Sequence, residues 1–187
     1  MIFETIVTTR ARGRDQIVPL GITHENDFIV LAPFRPSTTL DFLLESRCAV
    51  VNYTDDVRVF AGCLTGRYDW PTRPAERVAC NRLGETLAHC ELELDHIEED
   101  AVRPRLYFRE VHSAQHAPFH GFNRAQAAVI EGAILVSRLG MLPREKIESE
   151  MQYLSTAIEK TAGAREREAW GWLVAAMKTY HQARETQ

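Results

Sequence analysis

APFRPSTTLDFLL, residues 32–44, is a helical interruption in an N-terminal half that otherwise alternates as strands. Leu40, Leu43 and Leu44 recur at helical spacing, so a short amphipathic helix is expected to begin near Thr38. Just ahead of it stand a cation, Arg35, and three consecutive hydroxyls, Ser37, Thr38 and Thr39. The first N–H groups of a helix have no partners inside it, and the macrodipole is positive at that end, so an anion is favoured there. Arg35 adds a guanidinium able to pair bidentately with a phosphate. A plainer reading stands beside this one. Thr38 to Asp41 is T-x-x-D, a capping-box-like start with Pro36 ahead of it. Capping accounts for Thr38 and Asp41 but not for Arg35 or the run of three hydroxyls.

Working outward, residues 2–9, 16–23 and 28–32 read as strands, the first two joined by a charged turn around Gly13. Pro19 and Gly21 interrupt the second, as at an edge, a bulge or a close approach by a ligand. After the helix, the apolar run 48–53 (CAVVNY) reads as a buried strand and 57–64 (VRVFAGCL) as another. Residues 65–86 are punctuated by Gly66, Pro71, Pro74 and Gly84, with a short helix expected over 74–83. Residues 87–98 and 103–112 alternate again. About seven strands with one short helix suit a small barrel.

Beyond Gly121 the periodicity changes. Residues 122–139 read as a long helix, with Arg124, Glu131 and Arg138 on one stripe and a Glu131–Arg138 pair expected inside the packing. Gly132 would let another backbone approach closely. Pro143 opens a second helix that presents Ile147, Met151, Leu154 and Ile158 on one face, and Gly163 stops it. A third, from residue 164 to about 181, buries Trp170, Leu173, Val174 and Met177. The fold class is therefore α+β, mainly β. A barrel over 1–118 carries a helical segment, 119–187, packed on it as one structural unit.

Composition narrows the function. Hydrophobic residues are 45% and charged residues 26% of the 187, ordinary for a globular chain. A net charge of −4 disfavours broad binding to nucleic acid. Cys48, Cys63, Cys80 and Cys90 have no C-x-x-C spacing, so neither a zinc ribbon nor a redox dithiol is indicated, and Cys48 and Cys63 are expected to be buried structural thiols. The chain opens on a strand, not a leader-like segment, and no apolar run reaches membrane-spanning length, so a cytoplasmic protein without a membrane partner is the expectation.

Four ordered motifs, ETIVTT, PFRPSTT, VVNYTDDV and GFNRAQAAVIEGAILVSRL, together with PREKIESEMQYLSTAIEKTAGAREREAW, resemble an uncharacterised family of archaea and methylotrophic bacteria. That family has a flavin-reductase-like split barrel. One departure is Ala162-Gly163, where the family more often has paired glycines. The resemblance implies a six-stranded split β-barrel with C-terminal helices, FMN as cofactor, and a homodimer with flavin near the subunit interface. It implies that Arg35, Ser37, Thr38 and Thr39 hold the flavin phosphate. The ring would lie against the first two strands, lined by Thr8, Thr9, Leu20 and Gly21, with Asn52 bonding the ring or ribityl chain. Asn123 and Arg124 would reach flavin or a substrate anion from a helix start, or else serve as a cap and an ion-pair partner of Glu131. The implied activity is that of an FMN-dependent oxidoreductase, with a reduced nicotinamide as donor and a pterin-like acceptor from one-carbon metabolism. The alternatives are a flavin-binding protein without turnover and a purely structural homodimer.

His112, His116 and His120 are four apart, but Pro118 and Gly121 oppose the continuous helix that would converge them, so no metal site is expected. Asp55 and Asp56 read as a turn, not a catalytic pair.

Overall fold

The computed structural model describes residues 1–185. β1 (Ile2–Ala11) and β2 (Arg14–Glu25) form a long antiparallel hairpin. Its turn uses Arg12 and Gly13, both at positive φ. β3 (Phe28–Leu31), β4 (Cys48–Tyr53), β7 (Ala88–Glu98) and β8 (Arg105–Gln115) complete a closed barrel in the order β1-β2-β3-β8-β7-β4. Alternation fixes two faces. Val7, Ile22, Leu31, Ala49, Val51, Leu92, Leu106 and Phe108 point inward and form the core. α1 (Thr38–Ser46) links β3 to β4 and adds Leu40 and Leu43 to that core. Bulge-like register shifts fall at Glu91/Leu92 and Leu94/His96.

The segment expected to hold a helix over 74–83 instead forms a small hairpin, β5 (Thr72–Pro74) against β6 (Asn81–Leu83). Ala75 N–H donates to Cys80 O at 3.0 Å and closes it. The N–H groups of Glu76, Arg77 and Val78 all donate to the Glu91 carboxylate on β7, so a tertiary partner overrides the helix start that Pro74 signalled. Val78 and Cys80 pack on Cys48 and Val50 on the outer face of β4. All four cysteines are buried, and none is in a disulfide among the described residues. The sulfurs of Cys48 and Cys80 lie 2.7 Å apart, a proximity that no spacing in the sequence signals.

Residues 1–54 and 69–119 make up this barrel unit; residues 55–68 and 120–185 make up a second, helical unit. Residues 57–64, read as a strand, are the helix α2 (Arg58–Leu64). The run is apolar on every side, so periodicity does not separate strand from helix. What decides it is Asp56, whose carboxylate accepts from the Arg58 N–H at 3.1 Å and from its guanidinium at 2.6 Å, fixing the first turn. The barrel therefore has six strands, not seven. α3 (Arg124–Ser137), α4 (Arg144–Thr161) and α5 (Ala164–Glu185) follow. Val57, Ala61, Ala128, Val129, Ile147, Met151, Ile158 and Leu173 form the core of this unit. Ile147, Met151 and Ile158 are buried as expected of their face. Arg124, Glu131 and Arg138 are all exposed, so their stripe is solvated and not paired inside the packing.

Candidate functional site

α1 begins where its hydroxyls predicted, but Ser37, not Thr38, is the cap. Ser37 is extended, and its Oγ accepts from the Leu40 N–H at 3.2 Å. That leaves the Thr38 and Thr39 N–H groups, the first two of the helix, without intrahelical acceptors. Thr38 is exposed and Thr39 half-buried, and among the described residues neither hydroxyl is engaged. Arg35 reaches the same surface. Its N–H donates to Val102 O at 2.8 Å, its guanidinium pairs with the exposed Glu99 at 3.0 Å and touches Asp100 O at 3.4 Å. The Glu99 pair is at the surface and weak, so an anion with more than one oxygen competes well for Arg35.

Sequence reasoning missed a second cation here. Arg103 donates through Nη2 to Ala32 O at 3.0 Å and stacks 4.6 Å over the Phe34 ring. Asp100 organises this turn by accepting from the Arg103 and Val102 N–H groups, which hold its carboxyl below the usual carboxylate range. The local result is a surface loop with two guanidiniums beside a helix N-terminus.

The other expected residues fall elsewhere. Thr8 and Thr9 are buried and, as neighbours on a strand, face opposite sides. Thr8 Oγ1 donates to Asn81 O at 2.5 Å; Thr9 Oγ1 bonds Ser46 Oγ at 2.8 Å and Cys48 O at 3.0 Å. Asn52 is fully buried. Its amide donates to Ile6 O at 3.1 Å and its oxygen accepts from the Leu83 N–H at 2.8 Å. These polar groups fasten β6 and β1 around β4. Leu20 packs toward the barrel core, and its carbonyl accepts from Thr5 Oγ1 at 2.8 Å. A Cβ at Gly21 would meet Ile2 Cγ2 at 2.7 Å, so the residue is small because the first strand crosses it. The fold thus gathers Arg35, Ser37, Thr38 and Thr39 at one place. It distributes Thr8, Thr9, Leu20, Gly21 and Asn52 over two faces of the barrel.

Asn123 and Arg124 belong to the helical unit. Asn123 caps α3 through Oδ1, which accepts from the Ala125 N–H at 2.7 Å, while Nδ2 donates to Thr161 O at 3.1 Å. Asn123→Ala is expected to cost about 1–2 kcal/mol, one cap plus one tie to α4, read from urea unfolding followed by far-UV circular dichroism. A cavity of this unit, about 690 Å³, is an open groove between α4 and α5 lined by Met151, Trp170, Val174, Met177 and His181. Arg144 at its rim is engaged by Glu148 and Glu185.

A further polar array lies on the outer face of β7 and β8. His89, fully buried, places Nδ1 2.9 Å from His116 Nε2, with the rings 5° from parallel, and Nε2 3.1 Å from Glu91 Oε1. The proton arrangement that satisfies each atom has His116 Nε2–H donating to His89 Nδ1 and His89 Nε2–H donating to Glu91. Burial holds the His116 imidazole below its ordinary value, with Arg82 and His89 acting the same way, so it is neutral at pH 7. Burial pushes the Glu91 carboxyl up, but the three backbone N–H donors and His89 outweigh it and hold the group below the carboxylate range. The sequence signal was present: LAHCELEL alternates, so His89 and Glu91 share a face.

The family model described as "Protein of unknown function (DUF447) N-terminal domain" matches residues 3–117, and "Protein of unknown function (DUF447)" matches residues 123–175. No curated protein matches the chain in sequence. The solved structure of the FMN-bound protein MM1853 from Methanosarcina mazei is similar with a TM-score of 0.81 at 18% identity, covering 94% of each chain. An FMN-binding protein from Thermus thermophilus, crystallised with 1-cyclohex-2-enone, gives 0.53 at 15% identity over 60% of this chain and 69% of that one. The flavoredoxin of Desulfovibrio vulgaris gives 0.51 at 18% identity over 60% and 69%. The likeness is one of fold. The six-stranded barrel is a flavin-reductase-like split barrel followed by C-terminal helices.

Proposed function

We propose that this chain, which belongs to the DUF447 family, binds FMN and holds its phosphate at the start of α1. The observation that carries the reading is the donor set there: the Arg35 guanidinium, the unengaged Thr38 and Thr39 hydroxyls, and two N–H groups without helical acceptors. That set fits a phosphate monoester, which presents several oxygens to converging donors. Arg103 adds positive potential beside it. Ser37 contributes by holding the cap and so keeping the neighbouring donors aimed outward. FMN, when bound, supplies hydride and single-electron chemistry; the protein supplies binding, orientation and electrostatics. The similar solved proteins include FMN-bound and FMN-binding ones, which supports the choice of cofactor.

The finer reading is an oxidoreductase that takes hydride from a reduced nicotinamide and passes electrons to a second acceptor, pterin-like in this proposal. It acts as a homodimer with flavin near the subunit interface. A carrier without turnover is the second reading, favoured by the side chains of Thr8, Thr9 and Asn52, which carry no titratable acid or base and spend their polar atoms on internal hydrogen bonds.

The test is a visible spectrum after mixing with FMN and desalting, then affinity by quenching of flavin fluorescence. Wild-type protein is expected to retain FMN and to prefer it over riboflavin. Arg35→Ala is expected to weaken FMN about 10–100-fold and riboflavin hardly at all, the worth of one charge-assisted contact. Equal losses for both ligands would move the phosphate elsewhere. No retained flavin would overturn the function. Flavin retained but not reduced anaerobically by NADH or NADPH would select the carrier.

A further inference from the structure

The side chains of His89, Glu91 and His112 converge outside the loop assigned to phosphate. Register places Glu91 opposite His112 across β7 and β8, and His89 lies two residues away on the same face of β7. Their ligand atoms all lie within 4.8 Å of one another. The hydrogen bonds of the array explain three of its members. Glu91 fastens the 76–78 loop, His89 bonds Glu91, and His116 bonds His89. They do not explain His112. Its Nε2 is shut off from solvent and has no hydrogen-bond partner among the described residues. The nearest opposite charge is Glu76 Oε2, 3.5 Å away and not aligned for a hydrogen bond. A buried ring nitrogen without a partner is costly unless something else completes it.

We propose that His89, Glu91 and His112, joined by Glu76, form a binding site for a divalent transition-metal ion of the zinc type. Two imidazoles and two carboxylates are the donors such ions prefer, whereas magnesium and calcium favour oxygen alone. Glu76 is largely exposed and stands at the rim, so the site has a route to solvent. Its own N–H donates to Glu91 Oε1 at 2.7 Å, which keeps its side chain near the cluster. The supporting contacts of a metal site are in place as well. The Arg77 and Val78 N–H groups orient Glu91 through Oε2, and His116 backs His89. Binding at His89 Nε2 takes the place of its proton. His89 then carries its proton on Nδ1 and donates to His116 Nε2, whose own proton shifts to His116 Nδ1, so the ring pair holds two protons before and after. The metal replaces the His89 N–H as a partner of Glu91 Oε1, and His112 Nε2 gains the partner it lacks.

Along the chain only a helix would converge His112 with His116 and His120; the pairing of β7 with β8 instead brings His112 opposite Glu91 and onto the face of His89, and His120 takes no part in the proposal.

The test uses full-length, untagged protein freed of metal by chelator, with and without FMN, since the site does not rest on the flavin reading. Cobalt(II) is titrated and followed by its visible ligand-field bands, then displaced by zinc(II). One equivalent of cobalt with the intense bands of a four- or five-coordinate site is expected. His112→Ala, on a partly exposed position, is expected to weaken cobalt binding at least about 100-fold, and His116→Ala about 10–100-fold, with far-UV circular dichroism unchanged. Glu76→Gln, at the exposed rim, is expected to weaken it about tenfold. Absence of stoichiometric binding would overturn the site. So would a His112→Ala protein that binds cobalt as the wild type does.

Discussion

Glu91→Ala is expected to destabilise the barrel unit by about 4 kcal/mol, the cost of leaving several buried donors unpaired. The Glu91 side chain is fully buried, and its two oxygens accept from the N–H groups of Glu76, Arg77 and Val78 at 2.7, 2.7 and 3.1 Å, and from His89. Alanine removes all four acceptor contacts at once and leaves a cavity beneath the loop. Glu91→Gln is the milder change, because one amide nitrogen then faces backbone donors; about 2–3 kcal/mol is expected. The measurement is urea unfolding of metal-free protein, with hydrogen exchange of the 76–78 amides as the local readout. Loss of protection at those amides ahead of global unfolding would identify the loop as the first part to leave.

The same contacts set a pH dependence. The folded Glu91 pKa lies below the usual carboxylate value, because its hydrogen bonds outweigh burial. A depressed carboxylate contributes stability that is fully present above its unfolded pKa and lost as pH falls through the folded one. Wild-type stability is therefore expected to fall on the acid side of the carboxylate range. In Glu91→Gln that part of the acid slope is expected to disappear.

The second large effect separates two glycines of the helical unit. Both lie inside helices, where alanine gains about 1 kcal/mol over glycine by propensity alone. Gly171 on α5 has open space around it, with nothing within 4 Å of an added Cβ. Gly171→Ala is expected to stabilise by about 0.5–1 kcal/mol. Gly132 on α3 is buried, and a Cβ there would lie 2.9 Å from Trp170 Cζ3 and 3.3 Å from Leu173 Cδ1. Gly132→Val forces Trp170 and Leu173 away from a packed face and is expected to cost about 3 kcal/mol despite its better propensity. Thermal and urea unfolding of the two variants test this. If Gly132→Val proved as stable as wild type, the α3–α5 contact would be looser than its distances imply.

Much of this protein was legible because its determinants are local. Alternation in residues 2–9 and 87–98 marked strands, since a strand half-buried in a barrel must place every second side chain inside, and the apolar run 48–53 marked a strand buried on both faces. Leu40 and Leu43 marked α1, and Ile147, Met151 and Ile158 marked the buried face of α4, for the equivalent reason at helical period. The run of hydroxyls after Arg35 located a helix start to within one residue, because capping chemistry acts over three or four positions. Gly132 was readable as a point of close approach, though the neighbours it admits are the Trp170 and Leu173 side chains.

What the tertiary structure decided alone were the states that depend on partners distant in sequence. Residues 57–64 are apolar all round, so only Asp56 and burial among α3 and α5 made them a helix. Residues 76–78 lost a helix because Glu91, more than ten positions away, accepts their N–H groups. Thr8, Thr9 and Asn52 looked available for a ligand, yet the interior uses their hydrogen bonds, since a buried polar group must be satisfied wherever it falls. His89, Glu91, His112 and His116 converge only through the pairing of β7 with β8, and Cys48 meets Cys80 only because β6 folds back over β4. Spacing along the chain reports which residues share one face of one element. Which faces meet is set by hydrogen-bond register and by burial, and those exist only once the strands have paired.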